Sequence, residues 1–432
     1  MAVTDPGALD GGPDNRDDID VLSNLAYTNG PPHAAFDWLR ANRPLYHQSI
    51  DDPILVTESW VVTRHADVLA ISRDTDHFGN FGGHNLRNDH DSAGVSHLLL
   101  KDRPVHTEHR LMTSRRFTPK VVRMFADHYR DLAGSMLDRA MDAAAGDDTS
   151  DASGTSGTSG TSVTFDVVEH LSVEFPMAAI VELMGTPLDD HDRLLAWSNA
   201  TISTLDPEYA PTPEARSEAL TEMGAYALEL AETRRANPTD DLATVLTERV
   251  DAGDLSIEEY ISYVILLFVA GNETTRNNIS WGIHALASDP DQYALLRSDP
   301  DRYLDSAVEE ITRWASPVNY MSRTVHTPVE VHGQRLEAGE KVALMYLAAN
   351  RDPEVFDDPH RFDITRSPNP QVAFGYGPHF CLGAHLARLE TRSVLTELID
   401  RVETMELAGP AEHVWSSFIN GIKRLPIRLV RA

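Results

Sequence analysis

The only cysteine of the chain, Cys381, lies in a segment that could present a thiolate to a flat ligand. The segment reads Phe374-Gly-Tyr-Gly-Pro-His-Phe-Cys-Leu-Gly383, and a helical pattern follows it directly. Its glycines and proline predict a tight loop whose backbone can approach a ligand closely. The free N–H groups and the positive dipole end of the following helix favour thiolate over thiol. Without this context, a lone cysteine is usually a buried hydrophobic residue.

A second candidate for chemistry ends a long apolar helical pattern, at Phe268-Val-Ala-Gly-Asn-Glu-Thr-Thr275. Ala270 and Thr274 are four residues apart, so they share one face of the helix. Gly271 beside them leaves room for a small ligand, and Glu273 places an acid next to the hydroxyl of Thr274. The alternative is a helix end returning to the surface, with Thr274 bonded to its i−4 carbonyl.

Both segments resemble motifs of the cytochrome P450 family. The family's haem loop reads Phe-Gly-x-Gly-x-His-x-Cys-x-Gly, and every fixed position is filled here, by Phe374, Gly375, Gly377, His379, Cys381 and Gly383. The resemblance implies that Cys381 is the proximal ligand of haem b iron, where a thiolate favours O–O cleavage. It also implies that His379 hydrogen-bonds a haem propionate.

The helical segment resembles the family's Ala-Gly-x-Asp/Glu-Thr oxygen-activation motif, with Ala270 and Gly271 at its start. By that resemblance Thr274 hydrogen-bonds bound O2 and Glu273 relays protons. Two protons must reach the distal oxygen before water leaves, so an acid beside a hydroxyl suits the chemistry.

Further cations match positions that contact the propionates in the family. Asp102-Arg-Pro-Val-His-Thr-Glu-His-Arg110 resembles the family's Asp-Pro-Pro-x-His-Thr-x-x-Arg helix start, with Arg103 in place of the first proline. His106 and Arg110 are four residues apart and could point at one anion. Arg323 matches the family's other propionate arginine. With His379 these make four cations, which are hard to explain without an anionic partner.

A structural ion network is expected from Glu310 and Arg313, an i, i+3 pair about 70 residues before the cysteine. Such pairs are usually solvated and contribute about 0.2–0.5 kcal/mol. In the family the pair is joined by a later arginine, which here matches Arg361. The resemblance therefore assigns these three residues to the core and not to the chemistry.

Composition limits the possible partners of this 432-residue chain. Its 37 basic and 67 acidic residues give a formal net charge of −30, which argues against nucleic acid and anionic membranes as partners. The first residues lack a signal-peptide pattern. The longest apolar run, Val264 to Gly271, is far shorter than the roughly 20 residues needed to span a bilayer. We expect a cytoplasmic protein without a membrane anchor.

The elements that must position these residues are mostly helical. Residues 1–34 read as a flexible leader, and residues 35–432 as one domain with helical patterns from 35 to 144 and from 168 to 315. Gly-Thr-Ser triplets predict a flexible surface insertion at 146–162. A hairpin pattern at 329–336 and a helix from about Leu382 follow. The expected fold is mainly α with a small β region, and the resemblance implies the triangular α-helical prism of the P450 fold.

The substrate is expected to be a hydrophobic small molecule. Four segments should line its pocket, and their residues near the haem are largely apolar, including Val318, Met321, Phe418 and Ile419. The segments are 79–100, 267–271, 316–321 and 416–421. The alternative is that these side chains only pack the core. The segments around Thr274 and Phe418 resemble a bacterial subgroup that hydroxylates terminal methyl groups of steroid side chains, methyl-branched lipids or acyclic terpenes.

The predicted activity is monooxygenation with O2 and two electrons from a separate ferredoxin and its reductase. The alternatives are a peroxide-driven peroxygenase, which lacks the acid–alcohol pair, and a haem-binding sensor or carrier without catalysis. An acidic ferredoxin would need a basic patch on this acidic chain. The stretch from Arg110 to Arg123 has five cations and no acid, and Arg388 and Arg392 should lie near it. The alternative is a basic helix face paired with neighbouring acids.

Overall fold

The computed structural model describes residues 19–88, 97–147, 162–202, 206–209, 212 and 214–432. Helices dominate this part of the chain: α1 (His33–Asn42), α2 (His65–Arg73), α3 (Val105–Ser114), α4 (Pro119–Val122), α5 (Ala126–Asp147), α6 (Glu174–Met184), α7 (His191–Ile202), α8 (Ala215–Ala236), α9 (Leu242–Asp251), α10 (Ile257–Ser288), α11 (Pro290–Ser298), α12 (Pro300–Ala315), α13 (Tyr346–Ala349) and α14 (Ala384–Arg401).

Short strands make up the β region: β1 (Leu45–Ser49), β2 (Glu58–Val62), β3 (Phe78–Gly79), β4 (Ser162–Asp166), β5 (Tyr320–Val325), β6 (Val329–Val331), β7 (Gln334–Leu336), β8 (Lys341–Met345), β9 (Val402–Leu407), β10 (Glu412–His413), β11 (Ile422–Arg424) and β12 (Pro426–Arg431). The largest sheet has the order β1-β2-β8-β5-β3, and β4-β12-β9 form a second one. In the described chain β6–β7 and β10–β11 form two-stranded ribbons. The predicted hairpin is confirmed, with Val329 opposite Leu336.

Helix α10 crosses the centre of the molecule and carries the second motif. Its first turn is fixed by a capping box, in which Ser256 Oγ accepts from Glu259 N at 3.1 Å and Glu259 Oε2 accepts from Ser256 N at 3.0 Å. The helix is 32 residues long, or about 48 Å. It packs against α6, α8, α12 and α14, so one turn of it can face a cavity while its other sides lie in the core.

The helical expectation for residues 35–144 is wrong over 45–62, where the chain forms β1 and β2. Strand β2 pairs in parallel with β8, which lies about 280 residues further along, and register pairs such as Trp60 with Val342 define the contact. Such a pairing leaves little trace in the local pattern, because the partner strand supplies the burial. Strand β4 similarly begins at Ser162, the last residue of the predicted insertion.

The described part of the predicted leader is packed against the domain. Val21 and Leu22 are fully buried, the Val21 N–H donates to Gln48 Oε1 at 3.1 Å, and α1 already begins at His33. Residues 1–18 lie outside the described residues, as do residues 148–161 of the predicted insertion. The division into leader, domain and insertion otherwise stays a prediction.

The Glu310 network is present in the core, but its third arginine is Arg366. Glu310 accepts from both Nε and Nη2 of Arg313 at 2.7 Å, and both side chains are fully buried. Arg366 Nε lies 3.1 Å from Glu310 Oε2. The assignment of this role to Arg361 is wrong, since Arg361 contributes its backbone carbonyl, which accepts from Arg313 at 3.1 Å.

No helix in the described ranges is both long enough and apolar enough to cross a bilayer.

Candidate active site

A cavity with an empty volume of about 1420 Å³, including its open mouth, lies between α10, β5, α3 and the loop before α14. Its walls are mostly apolar. Ten of the twelve residues predicted for the site line it: Arg110, Ala270, Gly271, Thr274, Arg323, Phe374, Gly375, His379, Cys381 and Gly383. The other two, His106 and Glu273, lie behind its walls. The structure therefore brings together motifs from four distant parts of the sequence.

The loop before α14 turns Cys381 toward the cavity. Gly375 and Gly377 have positive φ angles of 70° and 75°, and a Cβ on Gly377 would lie 2.3 Å from the Ser72 carbonyl oxygen. The backbone N–H of Cys381 donates to the Phe374 carbonyl at 2.9 Å and closes the loop. Only glycine satisfies both conditions at residue 377, which explains the glycine-rich spacing.

The backbone at the start of the helix favours a thiolate as expected, because the Gly383 N–H lowers the pKa of Cys381, but burial of the thiol opposes it. Burial raises the pKa of the Cys381 thiol, and the Gly383 N–H, Arg110 and Arg388 offset only part of this rise. The accessible surface of the thiol faces the cavity, while protein surrounds it on the other sides. A metal ion deprotonates a coordinating thiol outright, so a bound iron would supply the missing stabilisation.

Cations and unpaired ring nitrogens gather at one side of the cavity. The rings of His106 and His379 have centroids 4.0 Å apart and are tilted by 43°, next to Arg110 and Arg323. Burial and these arginines lower the pKa of His379 to about 2, while burial and Arg110 lower that of His106 to about 4. The prediction of four cations is therefore wrong for the two histidines, which are neutral at pH 7. Both ring nitrogens of His106, and Nδ1 of His379, have no hydrogen-bond partner among the described residues. This cluster fits the anionic edge of a flat apolar ligand, as haem propionates would provide.

The α10 wall places a hydroxyl at the cavity. Thr274 Oγ1 donates to the Ala270 carbonyl at 2.9 Å, which is the back-bond that the structural alternative requires. Yet both residues line the cavity and not the outer surface, so the bond also holds the hydroxyl in place there. A Cβ on Gly271 would come within 3.1 Å of Ile180 Cδ1, so glycine at this position lets α6 approach α10.

Glu273 points away from the cavity into the core. Its carboxylate pairs with Arg276 at 3.3 Å, and both side chains are essentially inaccessible to solvent. Arg276 is also held by Asn199 Oδ1 at 2.9 Å and the Tyr209 hydroxyl at 2.8 Å. The sequence motif therefore puts the acid beside Thr274 in the chain but on a different face of the helix.

A different acid, Glu390 on α14, lines the cavity and was not predicted from the sequence. It lies there with Thr275 and Asn278 of α10. A signal was available, because Glu390 is four residues after Leu386 and so shares the inward face of that helix. A charged residue on an apolar face is unusual enough to be noted.

A second compartment of about 1160 Å³ continues from the first, and residues of both walls are shared: Leu99, Leu266, Ala270, Thr274, Val318 and Met321. Each segment predicted to form the pocket contributes to it, although residues 89–96 of the first segment lie outside the described residues. Phe418 and Ile419 form part of its apolar wall. Two arginines, Arg87 and Arg216, also line this outer compartment.

Fold and cavity together define a class: a mainly helical protein whose cysteine faces an apolar, cation-edged cavity suited to a thiolate-ligated haem. Comparison with known proteins gives the same class. Residues 55–410 match the family model described as Cytochrome P450. The chain therefore belongs to the cytochrome P450 family, and it is a monooxygenase that binds haem b. The predictions of family, fold, cofactor and enzyme class are confirmed.

Several relatives cover most of the chain. A steroid C26-monooxygenase of Mycolicibacterium smegmatis is 38% identical and aligns with 84% of this chain and 82% of its own. A methyl-branched lipid omega-hydroxylase of Mycobacterium tuberculosis is 38% identical over 91% and 90%. A linalool 8-monooxygenase of Pseudomonas putida is 34% identical over 95% and 98%.

Solved structures show the same fold. A Mycobacterium marinum cytochrome P450 in complex with pseudoionone superimposes with a TM-score of 0.87 at 33% identity, covering 96% of this chain and 100% of that one.

Proposed function

We propose that Cys381 ligates the haem iron and that Arg110, Arg323, His106 and His379 hold the propionates. The observation that supports this most is that Cys381 and Thr274 line one apolar cavity whose cations gather at a single edge. The bound haem supplies the redox chemistry that activates O2. The chain itself excludes water with apolar walls and holds the Thr274 hydroxyl by its bond to the Ala270 carbonyl.

We further propose that the substrate is a hydrophobic small molecule with a methyl-ended chain, such as a steroid side chain, a branched lipid or a terpenoid. The shared apolar residues Leu266, Val318 and Met321 connect the outer compartment to the wall at Thr274. The names of the relatives support the same substrate class.

Titration of the holoenzyme tests this class. A sterol-derived ketone, a methyl-branched fatty acid and linalool should each be tried, and at least one is expected to shift the haem spectrum toward high spin. A polar macrolide serves as the matched negative ligand. A clear shift with the macrolide and none with the three lipids would refute the proposed class.

The two alternative functions, a peroxide-driven peroxygenase and a haem-binding sensor or carrier, predict different products. A peroxygenase would turn over with peroxide as well as with O2 and electrons, and a sensor or carrier would form no product. The presence of Thr274 in the cavity wall favours O2-dependent monooxygenation. Product formed with O2 and a reduced ferredoxin, but not with peroxide, is the expected result.

We propose a cytoplasmic enzyme whose electrons come from an acidic ferredoxin docked on α3, α4 and the turns beside them. Arg115, Lys120 and Arg123 are exposed there, and no ion pair involves them in the described ranges. Exposed apolar side chains, Leu111 and Met124, flank these cations in the chain. Exposed cations together with apolar side chains suit a transient docking surface for an acidic partner.

Of the other four cations predicted for this docking surface, Arg110 lines the inner cavity and three are already paired. Arg116 pairs with Asp240, Arg388 Nε with Glu309 Oε1 at 2.5 Å, and Arg392 with Asp305. The alternative of a paired basic face therefore applies to these three arginines. The proposed surface consequently narrows to Arg115, Lys120 and Arg123.

Charge reversal tests the docking surface. Changing Arg115, Lys120 and Arg123 to Glu should slow ferredoxin-driven reduction about tenfold at low salt, with less effect at high salt. The control reverses Arg302, Arg335 and Arg428, which carry the same total charge on other elements. Equal slowing in both triple variants would assign the effect to net charge and refute the local surface.

A further inference from the structure

The outer compartment differs from the inner one in the charge of its walls. Arg87 and Arg216 line it, and none of the described residues that line it is acidic. This is unusual for a chain with 67 acidic and 37 basic residues. A wall with two arginines and no acid is electropositive, so it attracts an anion that the rest of the molecule repels.

The proposed haem does not account for these two arginines. The arginines at its propionate edge are Arg110 and Arg323, which line the inner compartment together with Cys381. None of these three residues lines the outer compartment. An anion bound by Arg87 and Arg216 would therefore be a second one, separate from the propionates.

The two compartments form one path from the outer wall to the proposed oxygen site. The apolar residues Leu266, Val318 and Met321 line both compartments, and so does Thr274. Such a wall favours burial of a hydrocarbon chain and disfavours burial of a charged group. A charged group on the substrate is therefore restricted to the outer end of the path.

The donors at the outer end suit a carboxylate. Arg87 is bridged to Leu55 and Arg216 lies in the first turn of α8, so two separate segments bring guanidinium groups to one compartment. A guanidinium has five N–H donors in a planar fork that matches the two oxygens of a carboxylate. Both arginines also interact with other groups of the protein, and five donors allow them to keep such contacts. The rings of His84 and His97, with centroids 5.2 Å apart in the same wall, can donate further hydrogen bonds.

We propose that Arg87 and Arg216 form a carboxylate anchor, which holds the acid end of the substrate while its methyl end lies at Thr274. This inference rests on the proposed hydroxylase function and narrows its substrate class to a long-chain or branched carboxylic acid. A C–H bond of the terminal methyl becomes C–OH, and O2, two electrons from the donor protein and two protons supply the oxygen and release water. The product is a hydroxy acid. The alternative is that the two arginines only keep the mouth of the cavity solvated.

Ligand titration of the holoenzyme tests the carboxylate anchor. A methyl-branched fatty acid and its methyl ester share one chain, and only the acid is anionic at about pH 7.5. The acid should give the high-spin shift at about tenfold lower concentration than the ester. In the double variant Arg87→Gln and Arg216→Gln the two should agree within about twofold, because only the acid loses affinity. The ester titration should stay unchanged, which shows that the pocket is intact. The control, Arg302→Gln with Arg335→Gln, removes the same charge from exposed positions and should keep the preference for the acid.

The length of the fatty acid gives a second readout. With the carboxylate held in place, the wild type should bind one chain length best and oxidise the terminal methyl. In the double variant the affinity should instead rise with each added methylene, and several carbons should be oxidised, because only burial then positions the chain.

The outcomes separate the carboxylate anchor from the proposed function. Equal affinity of the wild type for acid and ester, with a spin shift from both, would overturn the anchor and leave the hydroxylase function standing. A shift with the sterol-derived ketone or linalool, and none with the acid, would overturn the anchor in the same way. No shift with any of these ligands would contradict both the anchor and the proposed substrate class.

Discussion

Two buried glutamates beside the same turns of α10 have opposite surroundings. Glu273 is on α10, points into the core and pairs with Arg276 at 3.3 Å. Glu390 is on α14, lines the cavity and receives a hydrogen bond from Thr275, without a cationic partner in the described chain. Equal burial thus gives two different carboxyl groups. One is committed to an ion pair, and the other is able to gain and lose a proton near pH 7.

The comparison shows that burial alone does not define a catalytic acid. A buried ion pair fixes both charges, and removing one partner leaves the other uncompensated. A buried carboxyl without a counter-charge stays protonated because ionisation in an apolar environment is unfavourable. Proton transfer needs a buried carboxyl without a counter-charge, such as Glu390. A carboxylate in an ion pair, such as Glu273, can take part only after the pair is broken.

The largest expected effect is on the pH dependence of the free energy of unfolding, which should differ between the wild type and Glu390→Gln. The folded pKa of Glu390 is raised to about 8 from the ordinary 4.5, so between these values the folded state binds more protons than the unfolded state. The wild type should therefore lose stability relative to the glutamine variant as pH rises from about 4.5 through 8, by about 5 kcal/mol in total. Urea unfolding of both proteins across this range measures it, and parallel curves would contradict the assignment.

Glu273→Gln should show a different pattern. It leaves Arg276 buried without a full counter-charge, which should cost about 3 kcal/mol at pH 7. Thermal unfolding compared with the wild type gives the measurement. The conservative Glu273→Asp variant keeps the charge and should recover part of the loss. An equal loss of stability in Glu273→Gln and Glu273→Asp would mean that the shape of the side chain, and not its charge, matters at this position.

Thr274→Ala should change coupling more than stability. Removing the hydroxyl takes away the one group at the cavity wall that is held by the Ala270 carbonyl, so protons should reach bound O2 less reliably. Product per electron pair should fall about tenfold and peroxide should accumulate. Thr274→Ser is the matched control and should restore most of the coupling. Fully coupled turnover in the alanine variant would exclude a role in proton delivery.

Much of this site could be predicted because its motifs are local. The loop from Phe374 to Gly383 combines glycines at required positive φ angles with the cysteine, so spacing alone carries the information. His106 and Arg110 are likewise local, because they are four residues apart on one helix. Their convergence with Arg323, however, followed from the family resemblance and not from the residues alone.

The features that were not predicted from the sequence depend on three-dimensional neighbours. Glu273 lies one position before Thr274, about 100° around the helix, and its i, i+3 spacing to Arg276 allows the ion pair that turns it into the core. Glu390 required knowing that α14 packs on α10. Strand β2 required its distant partner β8, and the choice of Arg366 over Arg361 required the fold of the loop after α13.

The most direct test of the account is the CO spectrum of the reduced protein with and without Cys381. The wild type should bind one haem b and absorb at the Soret position typical of a thiolate ligand. Cys381→Ala should lose that band, while Glu390→Gln and Glu273→Gln, with every cavity cation intact, should keep it. A thiolate-type band that persists in Cys381→Ala would contradict the central claim, because Cys381 is the only cysteine in the chain.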